Sequence, residues 1–250
     1  MTPSPILKVL FTLSKSGVRS LLMGGQACVL YGAAEFSRDT DIVVLADDEN
    51  LRRLDAALET LGAERIAVPP FLRRHLEGGH AVHFRCHAPG VEGMRVDVMA
   101  RLRGLPEFSE LWERRTTIDT DDGPIEVLSL PDLVAAKKTQ RDKDWPMITR
   151  LVEADQARHA EEITDARIDF WLRQSRTPTL LLDLARSWSA ATTSLVAARP
   201  LLAHALNGDA AAVAAGLRAE EDAEREADRA YWAPLRRELE QMRFDRIGRS

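Results

Sequence analysis

The stretch LLMGGQACVLYGAAEFSRDTDIVVLA, residues 21–46, decides the fold of the N-terminal half of this chain. A short apolar run ends at Gly24 and Gly25, and a second apolar run begins with Asp39 and Asp41. The first run predicts a strand that leads into a short helix, and the β-branched IVV of the second predicts another strand. Charged residues at the start of a strand that should be buried call for a chemical explanation.

Asp39 and Asp41 are separated by one residue, so in a strand their carboxylates lie on the same face, ~6.5–7 Å apart. Such a pair repels itself unless a cation neutralises it. Mg²⁺ is commonly held by a few carboxylates together with substrate phosphates. Asp97 interrupts a later apolar strand, RVDVMA, in the same way. The three aspartates are therefore the predicted ligands of Mg²⁺.

Gly24 and Gly25 lie between the predicted strand and a helix predicted over 26–31. Glycines at such a junction let a phosphate approach the backbone closely, and the helix N-terminus favours an anion. Metal-assisted phosphoryl or nucleotidyl transfer needs a phosphate-binding turn beside carboxylates that bind metal ions, and the sequence predicts both.

Apolar spacing and glycine or proline boundaries divide the rest of the chain into two parts. The first part combines predicted helices with predicted strands: helices 5–15 and 49–61, strands 81–87, 94–100 and 125–129. After Pro131 the pattern is helical, with long helices predicted over 178–198 and 210–244. The expected architecture is α/β (α+β): a mixed β-sheet flanked by helices in a domain of residues 1–145, followed by a helical domain of residues 146–250.

Composition limits the classes of protein that fit. No window approaches eighteen uninterrupted apolar residues, and the N-terminus lacks a signal-peptide pattern, so we expect a cytoplasmic protein without a membrane partner. Cys28 and Cys86 are too few for a disulfide framework and are expected to be reduced, buried thiols. The net charge of −5 argues against uniform nucleic-acid coating. A local basic segment remains, because residues 65–103 contain seven arginines against three acidic residues.

The segment GGHAVHFRCH contains four residues whose side chains can bind zinc: His80, His83, Cys86 and His87. In a strand, however, alternate residues point to opposite faces. Cys86 is then expected on the face of Val82 and Phe84, opposite His83. The sequence therefore argues against a shared zinc ion, which needs four converging ligands.

The glycine pair, the short helix, the D-x-D and the later aspartate resemble the nucleotidyltransferase fold shared with DNA polymerase β. Their order and spacing resemble its minimal bacterial branch, the AbiEii-like toxins and their uncharacterised relatives. EFSRDTD, residues 35–41, occupies the register of that branch's R-x-T-x-D-x-D. DLVAAKKTQRDKDWPMI, residues 132–148, is similar to its D-L-I-A-x-K…R-x-K-D helix, and places Lys137, Arg141 and Lys143 on matching positions together with Asp144.

The resemblance implies that Asp39 and Asp41 bind the metal ions. It implies that Asp97 binds metal and helps to deprotonate the acceptor hydroxyl, and that Lys137 approaches the phosphates. These four are the expected catalytic residues, and Mg²⁺ is the expected cofactor.

Five residues are expected to bind the nucleoside triphosphate (NTP): Gly24, Gly25, Arg38, Lys137 and Asp144. Two positions depart from the family pattern. Gly25 stands where many members have serine, and Glu35 stands where the branch has arginine. Both changes remove contacts to phosphate, so Arg38 or Lys137 is expected to hold the triphosphate instead.

By this resemblance the chain is a Mg²⁺-dependent enzyme that moves a nucleoside monophosphate from an NTP to a hydroxyl acceptor. RNA, such as a tRNA end, is the expected acceptor, and a cognate antitoxin is an expected partner, as in toxin–antitoxin or abortive-infection systems. The alternatives are transfer to a small molecule of the aminoglycoside type, and a non-catalytic nucleotide-binding or partner protein of the same fold. A plain phosphohydrolase would share the metals, but the sequence has no His or Cys nucleophile signature.

Overall fold

The computed structural model describes residues 4–121 and 123–247. The chain divides into two compact units. Of the described residues, the first contains 4–30, 34–121, 123–136 and 231–247, and the second contains 31–33 and 137–230. The sequence-based boundary at 145/146 falls inside the second unit, and the C-terminal residues belong to the first because they pack there.

A seven-stranded mixed sheet forms the centre of the first unit. Its strands are β1 (Ser20–Met23), β2 (Asp39–Val44), β3 (Glu64–Arg65), β4 (Val82–Arg85), β5 (Arg95–Met99), β6 (Thr116–Thr120) and β7 (Gly123–Val127). They are ordered β3-β4-β5-β2-β1-β7-β6. β2 runs parallel to β5 and β1 parallel to β7, whereas the other neighbours are antiparallel.

The other regular elements of the described chain are helices. The first unit contains α1 (Pro5–Lys15), α2 (Gly24–Leu30), α3 (Asp48–Thr60), α4 (Arg73–Glu77), α5 (Phe108–Glu113) and α6 (Leu130–Ala136). The second contains α7 (Asp144–Arg158), α8 (Asp165–Gln174), α9 (Pro178–Ser187), α10 (Ser189–Leu195) and α11 (Leu202–Leu206). The last helix, α12 (Ala210–Ile247), contributes to both. This mixed α/β architecture followed by helices confirms the predicted fold class.

One face of the sheet is apolar and carries the main core of the first unit. Ile42, Val44, Val96 and Val98 are fully buried there, and Val82 and Phe84 of β4 join them. Apolar residues of α1 and α3 complete this cluster. Because side chains alternate along each strand, the polar residues between them are turned to the opposite face.

Asn50, in the first turn of α3, is bonded to the residue before β1 and to the residue after β2. Its side chain is 2% exposed and accepts a hydrogen bond from Arg19 N at 2.7 Å, while its amide donates to the carbonyls of Arg19 and Leu45. Asp47 caps α3 by accepting from Asn50 N at 2.6 Å. These bonds satisfy backbone groups that neither the helix nor the strands pair, so the geometry of β1 and β2 is firmly set.

Three local predictions differ from the structure. The helix after β1 begins at Gly24 rather than at residue 26, so strand and helix meet without an intervening turn. The helix predicted over 178–198 is divided at Trp188. The strands β3 and β6 were not predicted, because β3 has two exposed residues and β6 alternates exposed with half-buried positions, leaving little apolar signal.

Both cysteines are buried free thiols, as predicted. Cys28 lies 3.2 Å from the carbonyl of Gly24, to which its thiol donates, and burial raises the pKa of the Cys86 thiol. Among the residues that the structure describes, no helix has both the length and the apolar character needed to cross a membrane.

Candidate active site

The three aspartates share the polar face of the sheet. Asp39 and Asp41 lie two residues apart on β2, and Asp97 on the parallel strand β5 is the direct register partner of Asp41. Register partners and alternate residues point to the same side of a sheet. Two strands that are far apart in the sequence therefore bring the predicted site carboxylates onto one surface.

The basic strand β4 lies on the other side of β5. His83 is the register partner of Asp97, and Arg85 is the partner of Arg95. Val82 and Phe84 are buried between these polar residues, which confirms the predicted alternation. Cys86 is fully buried, whereas His83 is 31% exposed. The polar face thus carries a ladder of three acidic and three basic side chains across β2, β5 and β4.

The carboxylate of Asp97 is held by two basic neighbours. Arg95 Nε donates to its Oδ1 at 2.7 Å, and His83 Nδ1 lies 2.8 Å from the same oxygen. Arg95 Nη2 also lies 3.1 Å from His83 Nδ1. The Asp97 side chain is only 13% exposed, so these contacts are made largely out of solvent.

Two opposing effects act on the pKa of the Asp97 carboxyl. Burial raises it, but hydrogen bonds from His83 and Arg95 and the charges of both groups together outweigh burial, and the pKa lies below its ordinary value. The pKa of Arg95 is raised, first by the hydrogen bond to Asp97 and also by the charges of Asp39 and Asp41. Arg95 is therefore bonded to Asp97 and also lies within electrostatic reach of Asp39 and Asp41.

Gly24 is required by Asp41. It has a φ of +69°, and a Cβ built on it would lie 2.5 Å from the carboxylate carbon of Asp41. A Cβ on Gly25 would lie 2.7 Å from Ser37 Oγ. The glycine pair thus makes room for two side chains of the protein itself, which the sequence interpretation as a phosphate-binding turn did not anticipate.

The residues that would hold a divalent ion are hard oxygen donors on one surface, which is the donor chemistry that Mg²⁺ prefers. Within residues 4–121 and 123–247, however, no group of three or more His, Cys, Asp or Glu side chains is arranged to hold a metal ion. One reason lies in the contacts of Asp97, whose Oδ1 accepts from Arg95. The oxygen atoms of the three aspartates have the chemistry that a hard metal ion needs. The cation that contacts Asp97 in the structure is, however, the guanidinium of Arg95.

Arg38, predicted to hold the triphosphate, precedes Asp39 and is exposed. Its guanidinium carbon lies 5.8 Å from the ring centroid of Phe36, which is itself 70% exposed. An exposed arginine and an exposed aromatic ring beside the aspartates form a surface that could receive an anionic ligand with a planar group.

Lys137 and Asp144 lie in the second unit and bind each other. The amine of Lys137 donates to Asp144 Oδ1 at 3.2 Å, and Arg141 Nε and the hydroxyl of Thr139 donate to Oδ2 at 2.7 and 2.6 Å. Burial raises the pKa of the Asp144 carboxyl, but the charge of Lys137 and the contacts with Thr139 and Arg141 outweigh burial. The pKa of Asp144 therefore lies below its ordinary value. A phosphate would have to compete with Asp144 for Lys137, so the nucleotide-binding role of these two residues stays a prediction.

No protein-family model matches the sequence, and no curated protein is significantly similar to it. One solved structure, that of an antigenic nucleotidyltransferase-like protein from Paracoccidioides brasiliensis, matches over 69% of this chain and 93% of that chain, with 15% sequence identity and a TM-score of 0.36.

Sequence reasoning missed the importance of Arg95. The signal was present, because Arg95 stands two residues before Asp97 in a predicted strand and must share its face. Pro89, Gly90 and Gly93 between the two predicted strands indicate that β4 pairs with β5, but the register that brings His83 to Asp97 has no local signal in the sequence.

Proposed function

We propose that this chain is a Mg²⁺-dependent nucleotidyltransferase, which moves a nucleoside monophosphate from an NTP to a hydroxyl acceptor and releases pyrophosphate. The observation that carries the proposal is the register of Asp41 with Asp97 on parallel strands, with Asp39 on the same face. The order of the glycine pair, the D-x-D and the third aspartate supports the same activity.

In this reaction the acceptor hydroxyl gives up its proton to solvent, its oxygen forms a bond to the α-phosphorus, and the bond from that phosphorus to the bridging oxygen breaks, so that pyrophosphate leaves. Mg²⁺ bound by Asp39, Asp41 and Asp97 would neutralise the phosphates and the developing charge. The lowered pKa of Asp97 keeps its carboxylate ionised, which suits a ligand better than a proton acceptor. Arg95 is a second cation at the same surface, available to a phosphate oxygen when Asp97 turns to a metal.

RNA is the acceptor that we propose, with a tRNA end as the specific case and a toxin–antitoxin or abortive-infection role with an antitoxin partner. The support is the basic strand, because Arg85 is exposed and lies next to Arg95 on the face of the aspartates. Phosphodiester groups are bound by such arginines without sequence preference. Several other arginines of residues 65–103 form ion pairs, for example Arg73 with Glu77 and Arg101 with Glu107. Their charges are therefore partly neutralised and less available to an RNA phosphate.

The proposal is tested by labelling. Purified wild type, Asp41→Asn and Asp119→Asn are incubated with each α-³²P NTP, Mg²⁺ and either total RNA or an aminoglycoside panel. Asp119 is the matched control, since it is an exposed aspartate on β6 of the same sheet. Label on RNA with wild type and Asp119→Asn, but not with Asp41→Asn, is expected. Label on an aminoglycoside alone would replace RNA by a small acceptor, and no label anywhere would contradict the enzyme.

A second candidate is a non-catalytic nucleotide-binding or partner protein. The observation that favours it is that Arg95 already neutralises Asp97, while Gly24 and Gly25 accommodate Asp41 and Ser37. NTP binding that Asp41→Asn leaves unchanged, together with absence of transfer, would support this candidate.

A further inference from the structure

The second unit contains a cavity of about 670 Å³ that none of the predicted active-site residues line. Helices α7 and α12 supply most of its walls, and Asp142, Arg176 and Pro178 supply the rest. Its volume is in the range of small-molecule sites, about 300–1,000 Å³. Four arginines line it: Arg150, Arg176, Arg218 and Arg225. We call it the helical-unit cavity.

The lining carries four arginines against three carboxylates, Asp142, Glu153 and Glu221, and Arg176 shares its counter-ion with a fifth arginine outside the lining. Arg176 and Arg199 both bind one carboxylate, that of Glu220, at 2.7 Å and 2.9 Å. Their side chains are only 10% and 7% exposed. Burial lowers the pKa of Arg176 and the charge of Arg199 lowers it further, although Glu220 opposes both. Two buried guanidinium groups therefore share a single counter-ion.

Trp145 holds two of the arginines in position. Its ring is 5% exposed, and the guanidinium carbons of Arg176 and Arg225 lie 5.1 and 5.7 Å from its centroid. Its indole nitrogen donates to the carbonyl of Thr139 at 2.8 Å, which fixes the ring. Cation–π contacts of this kind orient guanidinium groups without neutralising them. The cationic wall is thus preorganised.

Two further arginines line the cavity with their charges uncompensated. Arg150 and Arg218 are exposed, and neither has a hydrogen-bond or ion-pair partner in the part of the chain that the structure describes. Arg225, in contrast, is paired with Asp142 and Glu221 at 2.7 Å each. The free charges therefore belong to the two arginines that a ligand can reach from solvent.

We propose that the helical-unit cavity binds a small phosphate-bearing anion, which Arg150 and Arg218 hold by charge-assisted hydrogen bonds in the cavity that the largely buried Arg176 also lines. A planar guanidinium matches two phosphate oxygens at once, and a multiply charged anion best offsets several cations. Leu217 provides apolar wall for the rest of the molecule. This site is separate from the aspartates and does not depend on nucleotidyl transfer.

The test is isothermal titration of the full-length protein with pyrophosphate and with ATP, at constant ionic strength and with EDTA to exclude divalent metal. The variants are Arg150→Gln and Arg218→Gln, both at exposed positions. The control is Arg186→Gln, whose side chain is 79% exposed and does not line the cavity. Asp41→Asn separates this site from the aspartates.

The expected result is saturable binding to wild type, Arg186→Gln and Asp41→Asn, weakened about fivefold by Arg150→Gln and by Arg218→Gln. Three results would overturn the proposal: no saturable binding of either ligand, binding that both arginine variants leave unchanged, or binding that Asp41→Asn alone abolishes. A protein that binds RNA but neither pyrophosphate nor ATP would also overturn the proposal, because the cavity would then bind a polymer and not a small anion.

Discussion

Gly24 and Asp41 share one space: the glycine has no Cβ at the point where the Asp41 carboxylate lies. The two are brought together because Met23, the last residue of β1, is the register partner of Asp41 in the antiparallel pair β1–β2. The position of the Asp41 carboxylate therefore depends on a glycine that lies seventeen residues earlier in the sequence.

Gly24→Ala is expected to displace Asp41. Alanine at positive φ costs about 1 kcal/mol, and the clash with the carboxylate adds about 1–3 kcal/mol of overpacking. The variant should lose more than about 2 kcal/mol of unfolding free energy, measured by urea denaturation, and should reduce nucleotidyl transfer as severely as Asp41→Asn.

Gly104→Ala is the matched control for this substitution. Gly104 has a φ of +72°, and a Cβ there would meet nothing within 4 Å. It should therefore show the backbone strain alone. Equal losses of stability in Gly24→Ala and Gly104→Ala would show that Asp41 does not need the space.

Asp97 is expected to make stability depend on pH in the acid range. Its folded-state pKa is lowered, so its contribution is fully present above the unfolded value of about 3.9 and disappears as pH falls through the lower folded value. At pH 7, Asp97→Asn should be about 1 kcal/mol less stable than wild type, because a charged hydrogen-bond acceptor is lost. Urea denaturation between pH 7 and pH 2.5 should show that difference shrinking below about pH 4.

Asp119→Asn provides the reference, since Asp119 is exposed on β6. Its difference from wild type should stay small at every pH. A stability difference for Asp97→Asn that does not change with pH would contradict the ionised pair with Arg95 and His83.

Arg95 is expected to compete with a divalent ion for the aspartates. Replacing it by methionine frees Asp97 Oδ1 and removes the positive charge that acts on Asp39 and Asp41. Arg95→Met should bind Mn²⁺ about tenfold more tightly than wild type, as one charged interaction is worth ~1.4 kcal/mol. Electron paramagnetic resonance of free Mn²⁺ measures this without any turnover.

Arg101→Met is a suitable companion variant, because Arg101 pairs with Glu107 and not with the aspartates. Its Mn²⁺ affinity should equal that of wild type. If Arg95→Met binds Mn²⁺ no better than Arg101→Met, Arg95 is not a competitor of the metal.

The sequence was sufficient for the features that periodicity and local residue type determine. The alternation of apolar and polar residues in DTDIVV, RVDVM and VHFR predicted β2, β5 and β4 and the faces of their side chains. The helix over Pro5–Lys15 was predicted to its observed ends. Each of these depends on contacts within a few residues, which a single sequence displays.

The features that depend on pairing between distant segments could not be predicted. The proline and glycines between β4 and β5 indicate a hairpin, but nothing near His83 specifies the register of that pair, so the contact with Asp97 required the fold. The glycine pair was interpreted as a phosphate turn because the sequence shows that both residues lack a side chain, whereas it does not show which neighbour fills the space. The same applies to Lys137, whose pairing with Asp144 is set by the loop between α6 and α7.

Lys137 and Asp144 are expected to contribute to stability as a coupled pair. Asp144 is 2% exposed and Lys137 is 11% exposed, so removing either partner leaves a largely buried charge. Asp144→Asn removes the carboxylate that pairs with Lys137 and should lower the unfolding free energy by about 3 kcal/mol at pH 7. Lys137→Met should cost less, because Arg141 still pairs with Asp144. The double variant should lose clearly less than the sum of the two, by about 1–3 kcal/mol, because it leaves neither charge uncompensated within the pair.

The cycle is measured by urea denaturation of all four proteins and repeated at pH 3. Since the folded-state pKa of Asp144 is lowered, its stabilising contribution is present above about pH 4 and is lost as pH falls through the folded value. The coupling should therefore decrease in acid. Lys143→Met, at an exposed position of the same segment, is the control and should be neutral. Full additivity at pH 7 would show that the pair is not coupled, and Lys137 would then be free to serve a phosphate.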